Sequence, residues 1–174
     1  METDFIKIRK DRVGALIGKE GRTKCFIEKK AKVKLKISED GGVELRSEDG
    51  LALWRAKEVV KAVGRGFNPT VAMRLTSIDY SLLIIDLDKI FNGKDNEVRR
   101  IKARVIGEDG RAREALEQLS NSKIVILGKT ITVIATEEEM PIIEKALNMM
   151  IGGASHASAY QMLEGERRNM RKGL

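Results

Sequence analysis

The stretch that decides the fold is Ile17–Arg22, with the sequence IGKEGR, which returns at Ile106–Arg111 as IGEDGR. The offset is 107 − 18 = 89 residues, and at that same offset Glu28 is repeated as Glu117. A match that continues beyond the glycines without a gap indicates an internal repeat. In each copy we expect the Gly-x-x-Gly pattern to join two helices, because glycine lets the backbone turn sharply and come close to a ligand.

The residues around the first loop predict a strand, two helices, a hairpin and a closing helix. Residues 5–9 are expected to form a strand and residues 23–31 a helix, while the alternation of apolar residues with lysines at 33–37 predicts a half-buried strand. Asp40-Gly41-Gly42 predicts a hairpin turn before a return strand at 43–45. The apolar face of the closing helix is expected to consist of Leu51, Trp54, Val59, Val60 and Val63.

The same order of elements is predicted around the second loop. The strand is expected at 82–87, the helix at 112–119, the hairpin strands at 123–127 and 130–135, and the closing helix at 141–151. Between the copies, Asn68 followed by Pro69 predicts the start of a short helix that runs to Leu75. After the second copy, Tyr160 and Leu163 fall at helical spacing before a basic end, which predicts a helix that packs on the second copy or meets a partner.

This order of elements resembles the type I KH module of RNA-binding proteins, in which the loop clamps the backbone of about four single-stranded nucleotides. The resemblance implies an α+β fold of two tandem type I KH domains, with a short helical linker and a C-terminal helix. Each domain would be a three-stranded antiparallel sheet packed by three helices. The expected boundaries are 1–66 for the first KH domain, 67–80 for the linker, 81–152 for the second KH domain and 153–174 for the tail.

The resemblance narrows at the junction 64–69, with the sequence GRGFNP, and in the tail at His156, Tyr160, Leu163, Arg167 and Arg168. These features are similar to archaeal tandem-KH ribosome-maturation factors, kin to the eukaryotic Dim/Pno-type proteins. The resemblance implies a non-enzymatic, cytoplasmic RNA-binding protein that acts in small-subunit ribosomal RNA processing and ribosome assembly. It also implies binding near the three-prime end of that RNA, and contacts with a Nob-type endonuclease and with the alpha subunit of translation initiation factor two.

In the first copy, the glycines are expected to shape the loop while Lys19 meets phosphate as a point charge and Arg22 and Lys24 extend the positive edge. The residues expected to bind RNA there are Ile17, Gly18, Lys19, Glu20, Gly21, Arg22, Lys24, Lys34 and Lys36. Ile17, Ile27 and Ile37 are candidates for an apolar groove floor or for ordinary core. Lys32, Lys34 and Lys36 share one side of a strand, and they either line the groove rim or solvate the outer face.

The second copy carries two acids, Glu108 and Asp109, at the place where phosphate would lie, and like charges at contact distance oppose binding. The residues expected to contact RNA there are Arg104, Gly107, Glu108, Asp109, Gly110, Arg111 and Arg113. We therefore predict an unequal pair, in which the first copy grips RNA. The second copy would orient the strand, add affinity through its arginines or serve as a protein-binding face.

Composition agrees with a polyanionic partner, since 33 Lys and Arg residues against 26 Asp and Glu residues give a net charge of +7. Such a charge also serves solubility. Aromatic residues make up 4% of the chain, which is few for RNA-binding folds that stack bases on a sheet. A general RNA-binding or messenger-decay adaptor and a KH-fold protein scaffold remain alternatives.

No cofactor, metal or catalytic site is expected. Neither loop is followed by the Lys-Ser/Thr pair of a P-loop, and neither forms the three-glycine dinucleotide pattern. His156 is the single histidine, and Thr136-x-x-Glu139 reads as a helix capping box. Cys25 is expected to be a small buried or half-buried residue in a reducing compartment. The N-terminal sequence lacks the apolar segment of a signal peptide, and no stretch has the length of a membrane span.

Overall fold

The computed structural model describes residues 1–172, so positions 173 and 174 of the predicted tail lie outside the described residues. Two compact units are present, one formed by Met1–Leu82 and the other beginning at Leu83. Each contains a three-stranded sheet and several helices, which confirms the α+β prediction.

The first unit contains the elements β1 (Glu2–Lys7), α1 (Val13–Ile17), α2 (Arg22–Ala31), β2 (Lys34–Ile37), β3 (Gly42–Ser47), α3 (Gly50–Gly64) and α4 (Pro69–Ala72). Its sheet has the order β1-β3-β2, and both pairings are antiparallel. Strand β1 begins three residues earlier than predicted, because its pairing with β3 extends to Glu2 opposite Ser47. Leu35, Val43 and Leu45 face the helices and are buried.

Helix α3 begins where the Asp49 carboxylate accepts hydrogen bonds from the backbone N–H groups of Leu51 and Ala52. The face that it buries differs from the predicted one. Leu51 and Trp54 were expected on the apolar face, but they are 55% and 60% exposed. Val59, Val60 and Val63 are buried as predicted, and Leu53, Ala56 and Ala62 are buried with them. Trp54 lies about 200° around the helix from the buried Ala56, so its indole is left outside.

The segment after α3 is ordered as the Asn68-Pro69 pair predicts. The Asn68 side chain accepts a hydrogen bond from the Thr70 N–H over 2.9 Å and caps α4, which continues as a 3-10 turn over Met73–Thr76. Arg55 on α3 donates to the Thr76 carbonyl over 3.1 Å. This segment therefore packs on α3 as part of the first unit.

The second unit is built from β4 (Tyr80–Asp86), α5 (Leu87–Ile90), α6 (Asp95–Ile106), α7 (Arg111–Ser120), β5 (Lys123–Leu127), β6 (Thr130–Thr136), α8 (Met140–Ile151) and α9 (His156–Lys172). The first three residues of β4 fall within the first unit. The sheet order is β4-β6-β5, which repeats the topology of the first sheet. Thr136 and Glu139 exchange backbone-to-side-chain hydrogen bonds before α8, which confirms the predicted capping box.

The tail helix α9 is part of the second core. Ala159 and Leu163 are fully buried together with Leu116, Ile143 and Leu147 from the rest of that unit. Of the two alternatives for the tail, packing on the second copy is therefore the one observed. The buried side chains explain why this helix, with its charged C-terminal half, is held in place.

Cys25 is exposed, which contradicts the expected burial, because α2 turns Ile27 and Ala31 inward and Cys25 lies about 200° around the helix from Ile27. Among residues 1–172, no cluster of three or more His, Cys, Asp or Glu side chains could hold a metal ion. No helix in this range is long and apolar enough to cross a bilayer.

Candidate nucleic-acid interface

The first Gly-x-x-Gly loop reverses the chain between α1 and α2. Gly18 has φ 72° and ψ 176°, Glu20 has φ 55° and ψ 28°, and Gly21 has φ 74° and ψ 11°. No side chain caps the first turn of α2, because Gly21 occupies the N-cap position. The Arg22 N–H donates to the Lys19 carbonyl within the loop. The following N–H groups of that turn lie at the positive end of the helix dipole, where an anion is stabilised.

The second loop has the same backbone conformation. Gly107 has φ 72° and ψ 177°, Asp109 has φ 52° and ψ 27°, and Gly110 has φ 77° and ψ 6°. Each of these six angles lies within 5° of its counterpart in the first loop. The change from Lys-Glu to Glu-Asp therefore alters the charge of the loop and leaves its backbone unchanged.

The two glycines of each loop are required for different reasons. A Cβ on Gly18 would lie 2.2 Å from the Thr23 Oγ1, and one on Gly107 would lie 2.5 Å from the Ala112 Cβ. The Gly18 conformation also belongs to a region of positive φ and extended ψ that is open essentially to glycine alone. Gly21 has no atom within 4 Å of an added Cβ, so only its left-handed conformation favours glycine.

In the first loop, Lys19 is exposed at the tip. Arg22 donates to the Glu20 carboxylate over 3.1 Å, and both side chains are largely exposed. Lys24 lies 4.0 Å from Glu28. The exposed Arg22–Glu20 pair is weak, so Arg22 stays available to a phosphate, as does the exposed Lys19. Lys19, Arg22 and Lys24 were predicted to form one positive edge. In the structure, Lys19 lies in the loop, and Arg22 and Lys24 lie in the first turn of α2.

In the second loop, Glu108 and Asp109 are exposed and the flanking arginines differ in their freedom. Arg111 is exposed, whereas Arg113 is half-buried and its Nε has no hydrogen-bond partner within residues 1–172. The Arg104 Nη2 donates to the carbonyl of Ala154, before α9. Arg104 therefore holds the tail, and Arg111 is the arginine of the three that is most open to a ligand.

A repeated glutamate ties each post-loop helix to the neighbouring edge strand. The Glu28 carboxylate accepts a hydrogen bond from the Leu35 N–H over 2.8 Å, and Glu117 accepts one from the Ile124 N–H over 2.7 Å. Both pairs are separated by the 89-residue offset of the repeat. That both positions are glutamate is visible in the sequence. The structure adds the physical reason, which is the hydrogen bond that each carboxylate accepts from the edge strand.

The candidate groove residues differ in how deeply they are buried. Ile27 is fully buried and belongs to the core, whereas Ile17 and Ile37 are half-buried. Lys34 and Lys36 are exposed and alternate with the buried Leu35. They therefore stand on the side of the sheet that faces away from the helices, and the structure does not bring them to the loop.

The tail is anchored on both sides of the second loop. The His156 Nε2 lies 2.7 Å from the Arg104 carbonyl oxygen on α6, before the loop. Arg167 donates to the Gln118 carbonyl over 3.1 Å on α7, after the loop. Local sequence patterns do not reveal this arrangement, because its partners are 52 and 49 residues apart along the chain.

Comparison with known proteins agrees with this geometry. A family model for the second KH domain of Pno1, described as a eukaryotic-type KH domain of type I, matches residues 81–168. A KH domain-containing protein of Methanocaldococcus jannaschii is 42% identical over 173 residues, which cover 97% of this chain and 76% of that protein. The pre-rRNA-processing protein pno1 of Aspergillus fumigatus is 28% identical over 139 residues, and the matched region is 54% of its length.

A solved structure agrees over nearly the whole chain. A chain in the crystal structure of the a/eIF2alpha–aDim2p–rRNA complex from Pyrococcus horikoshii OT3 is 36% identical and superposes with a TM-score of 0.88. The match covers 97% of this chain and 95% of that chain. The chain therefore belongs to the Dim2p/Pno1 family of KH-domain proteins, which are non-enzymatic RNA-binding factors.

Proposed function

We propose that this protein binds single-stranded RNA of the small ribosomal subunit through its two Gly-x-x-Gly loops and acts in the maturation of that RNA. The observation that carries the proposal is the shared loop conformation, which leaves an uncapped helix N-terminus open to the RNA backbone in each unit. The names of its relatives support the ribosomal assignment, since one is a pre-rRNA-processing protein and another was crystallised in a complex with rRNA.

The two loops would contribute unequally. The first presents Lys19 at its tip, whereas the second presents Glu108 and Asp109 on the same backbone. Replacing a cation by an anion about 4 Å from a phosphate changes the interaction by about 2 kcal/mol in a water-like dielectric, because each unit charge contributes about 1 kcal/mol. The first loop would therefore provide the main grip, while Arg111 would offset part of the acidic charge in the second.

Exchanging the loop interiors tests this proposal. The double change Lys19→Glu/Glu20→Asp gives the first loop the interior of the second, and the shared backbone angles indicate that the fold will accept it. We expect the affinity for a labelled RNA from the three-prime end of the small-subunit RNA to fall about tenfold to thirtyfold in fluorescence anisotropy. The reciprocal change Glu108→Lys/Asp109→Glu should raise it.

The control is Lys29→Glu, which alters the charge by the same two units at an exposed position farther along α2. A loss equal to that of the control would attribute binding to overall charge and refute the role of the loop. Equal affinity for a scrambled RNA would favour the general adaptor, and absence of binding at low salt would favour the protein scaffold.

The proposed partners are the alpha subunit of translation initiation factor two and a Nob-type endonuclease. The first is supported by the homologous complex, which contains a/eIF2alpha. The second follows from the family resemblance alone. Co-elution of the full chain with each purified partner, with and without the RNA, tests both contacts.

A further inference from the structure

The outer face of the first sheet, on the side away from the helices, is an unassigned surface of the first unit. It is formed by Thr3, Phe5, Lys7, Lys34, Lys36, Glu44 and Arg46, and we call this set the outer face. These positions alternate along the strands with residues that point toward the helices, such as Leu35 and Leu45. Two of them, Lys34 and Lys36, were expected to bind RNA but lie away from the Gly-x-x-Gly loop.

The charge of the outer face is strongly positive. It holds four cations and a single carboxylate, that of Glu44, which is already bonded to Arg46 beside it. Lys7 lies 3.8 Å from Asp40 in the hairpin turn, and both side chains are more than two-thirds exposed, so this pair is weak. Lys34 and Lys36 are exposed. Lys7, Lys34 and Lys36 are therefore accessible to a polyanion.

The outer face also carries an aromatic ring with no evident structural task. Phe5 is 67% exposed in the middle of β1, opposite Glu44, which in turn lies opposite Lys36 on β2. A hollow of about 400 Å³ lies beside the ring and is bordered also by Lys7, Ser38 and Gly42. An exposed ring beside cations on a sheet is the arrangement on which single-stranded nucleic acids stack their bases.

We propose that the outer face is a second binding surface for single-stranded RNA, with Phe5 stacking a base and Lys7, Lys34 and Lys36 contacting phosphates. The inference rests on the proposed RNA-binding function and extends it to a part of the unit that the loop does not reach. Charge complementarity favours RNA over a protein occupant. Because the loop holds about four nucleotides, a longer strand is needed to engage both surfaces.

Two RNA lengths separate this surface from the loop. The probes are a twenty-nucleotide RNA from the three-prime end of the small-subunit RNA and a five-nucleotide fragment of it. Phe5→Ser should weaken binding of the long RNA at least fivefold, as expected for the loss of one stacked base, and change binding of the short RNA less than twofold. Lys7→Gln/Lys34→Gln/Lys36→Gln should lower the salt slope by roughly 2, at about 0.7 per phosphate contact.

Matched variants keep the test decisive. The control Trp54→Ser/Lys30→Gln removes an exposed ring from α3 and an exposed lysine from α2, and it should leave both affinities unchanged. Phe5→Tyr should retain affinity, whereas Phe5→Leu, which keeps the apolar bulk, should not. The proposal is overturned if the outer-face variants match the control, or if they alter only self-association. Loss of short-RNA binding in the loop exchange tests the loop independently.

Discussion

Substitution of the two glycines in one loop should produce unequal losses of stability. Gly18→Ala places a Cβ 2.2 Å from the Thr23 Oγ1 and 2.9 Å from the Thr23 backbone N, whereas a Cβ on Gly21 meets no atom within 4 Å. For Gly21→Ala we expect only the cost of a left-handed residue, about 1.5 kcal/mol. For Gly18→Ala the essentially glycine-only conformation and the overpacking together cost about 3.5 kcal/mol.

Thermal unfolding followed by circular dichroism measures this difference. For a chain of this length, 1 kcal/mol corresponds to a shift of about 2–4 °C in Tm, so Gly21→Ala should lower Tm by about 3–6 °C and Gly18→Ala by about 7–14 °C. Gly21→Asn should recover most of the loss, because asparagine tolerates the left-handed region, and Gly18→Asn should not.

The second loop provides an internal replicate. Gly107 has the crowding of Gly18, with the Ala112 Cβ at 2.5 Å, and Gly110 has the open surroundings of Gly21. The order of the losses should therefore be the same. Equal Tm shifts for the two alanine variants of one loop, or a larger shift at the second glycine, would refute the reasoning from steric crowding.

Two further predictions concern single contacts in the first unit. Glu28→Ala should reduce the free energy of unfolding by about 1.5 kcal/mol, because the Leu35 N–H loses a charged acceptor, and Glu28→Gln should lose less than half of that in urea denaturation. The hydrogen bond from Lys57 over 2.7 Å lowers the pKa of Asp4, as does the Phe5 N–H. Its stabilising contribution is therefore complete above about pH 4, the unfolded value, and is lost as pH falls through the lowered folded pKa. The Tm difference between wild type and Asp4→Asn should be largest near pH 6 and shrink as the pH falls below about 4; a difference independent of pH would contradict this assignment.

Much of the fold could be predicted from the sequence because the repeat fixed two equivalent sets of elements. Strand β5 was predicted with its observed bounds, and the Asn68 and Thr136 caps were identified from local patterns. On the apolar face of α3, Val59, Val60 and Val63 were predicted correctly, but Leu51 and Trp54 were wrong. Apolar residues surround much of that helix, and helical periodicity alone does not say which of its sides meets the sheet.

The candidate site was predictable only where it depends on neighbouring residues. The Gly18–Gly21 loop is local, and its conformation follows from its glycines. The position of Lys34 relative to that loop depends on the order of the strands, and the bond from Arg104 to Ala154 joins residues 50 positions apart. Neither can be derived from helical or strand periodicity, which describes one element at a time.

The burial of Leu163 in the second core has a consequence for protein synthesis. The first unit has all of its residues by position 82, whereas the second lacks part of its core until residues 156–172 have been made. At about 5–20 residues per second, the remaining 172 − 82 = 90 residues take roughly 5–18 s. During that interval the first unit can fold beside the ribosome that makes it. The helices on both sides of the acidic loop of the second unit lack their contacts with α9 until α9 has been made.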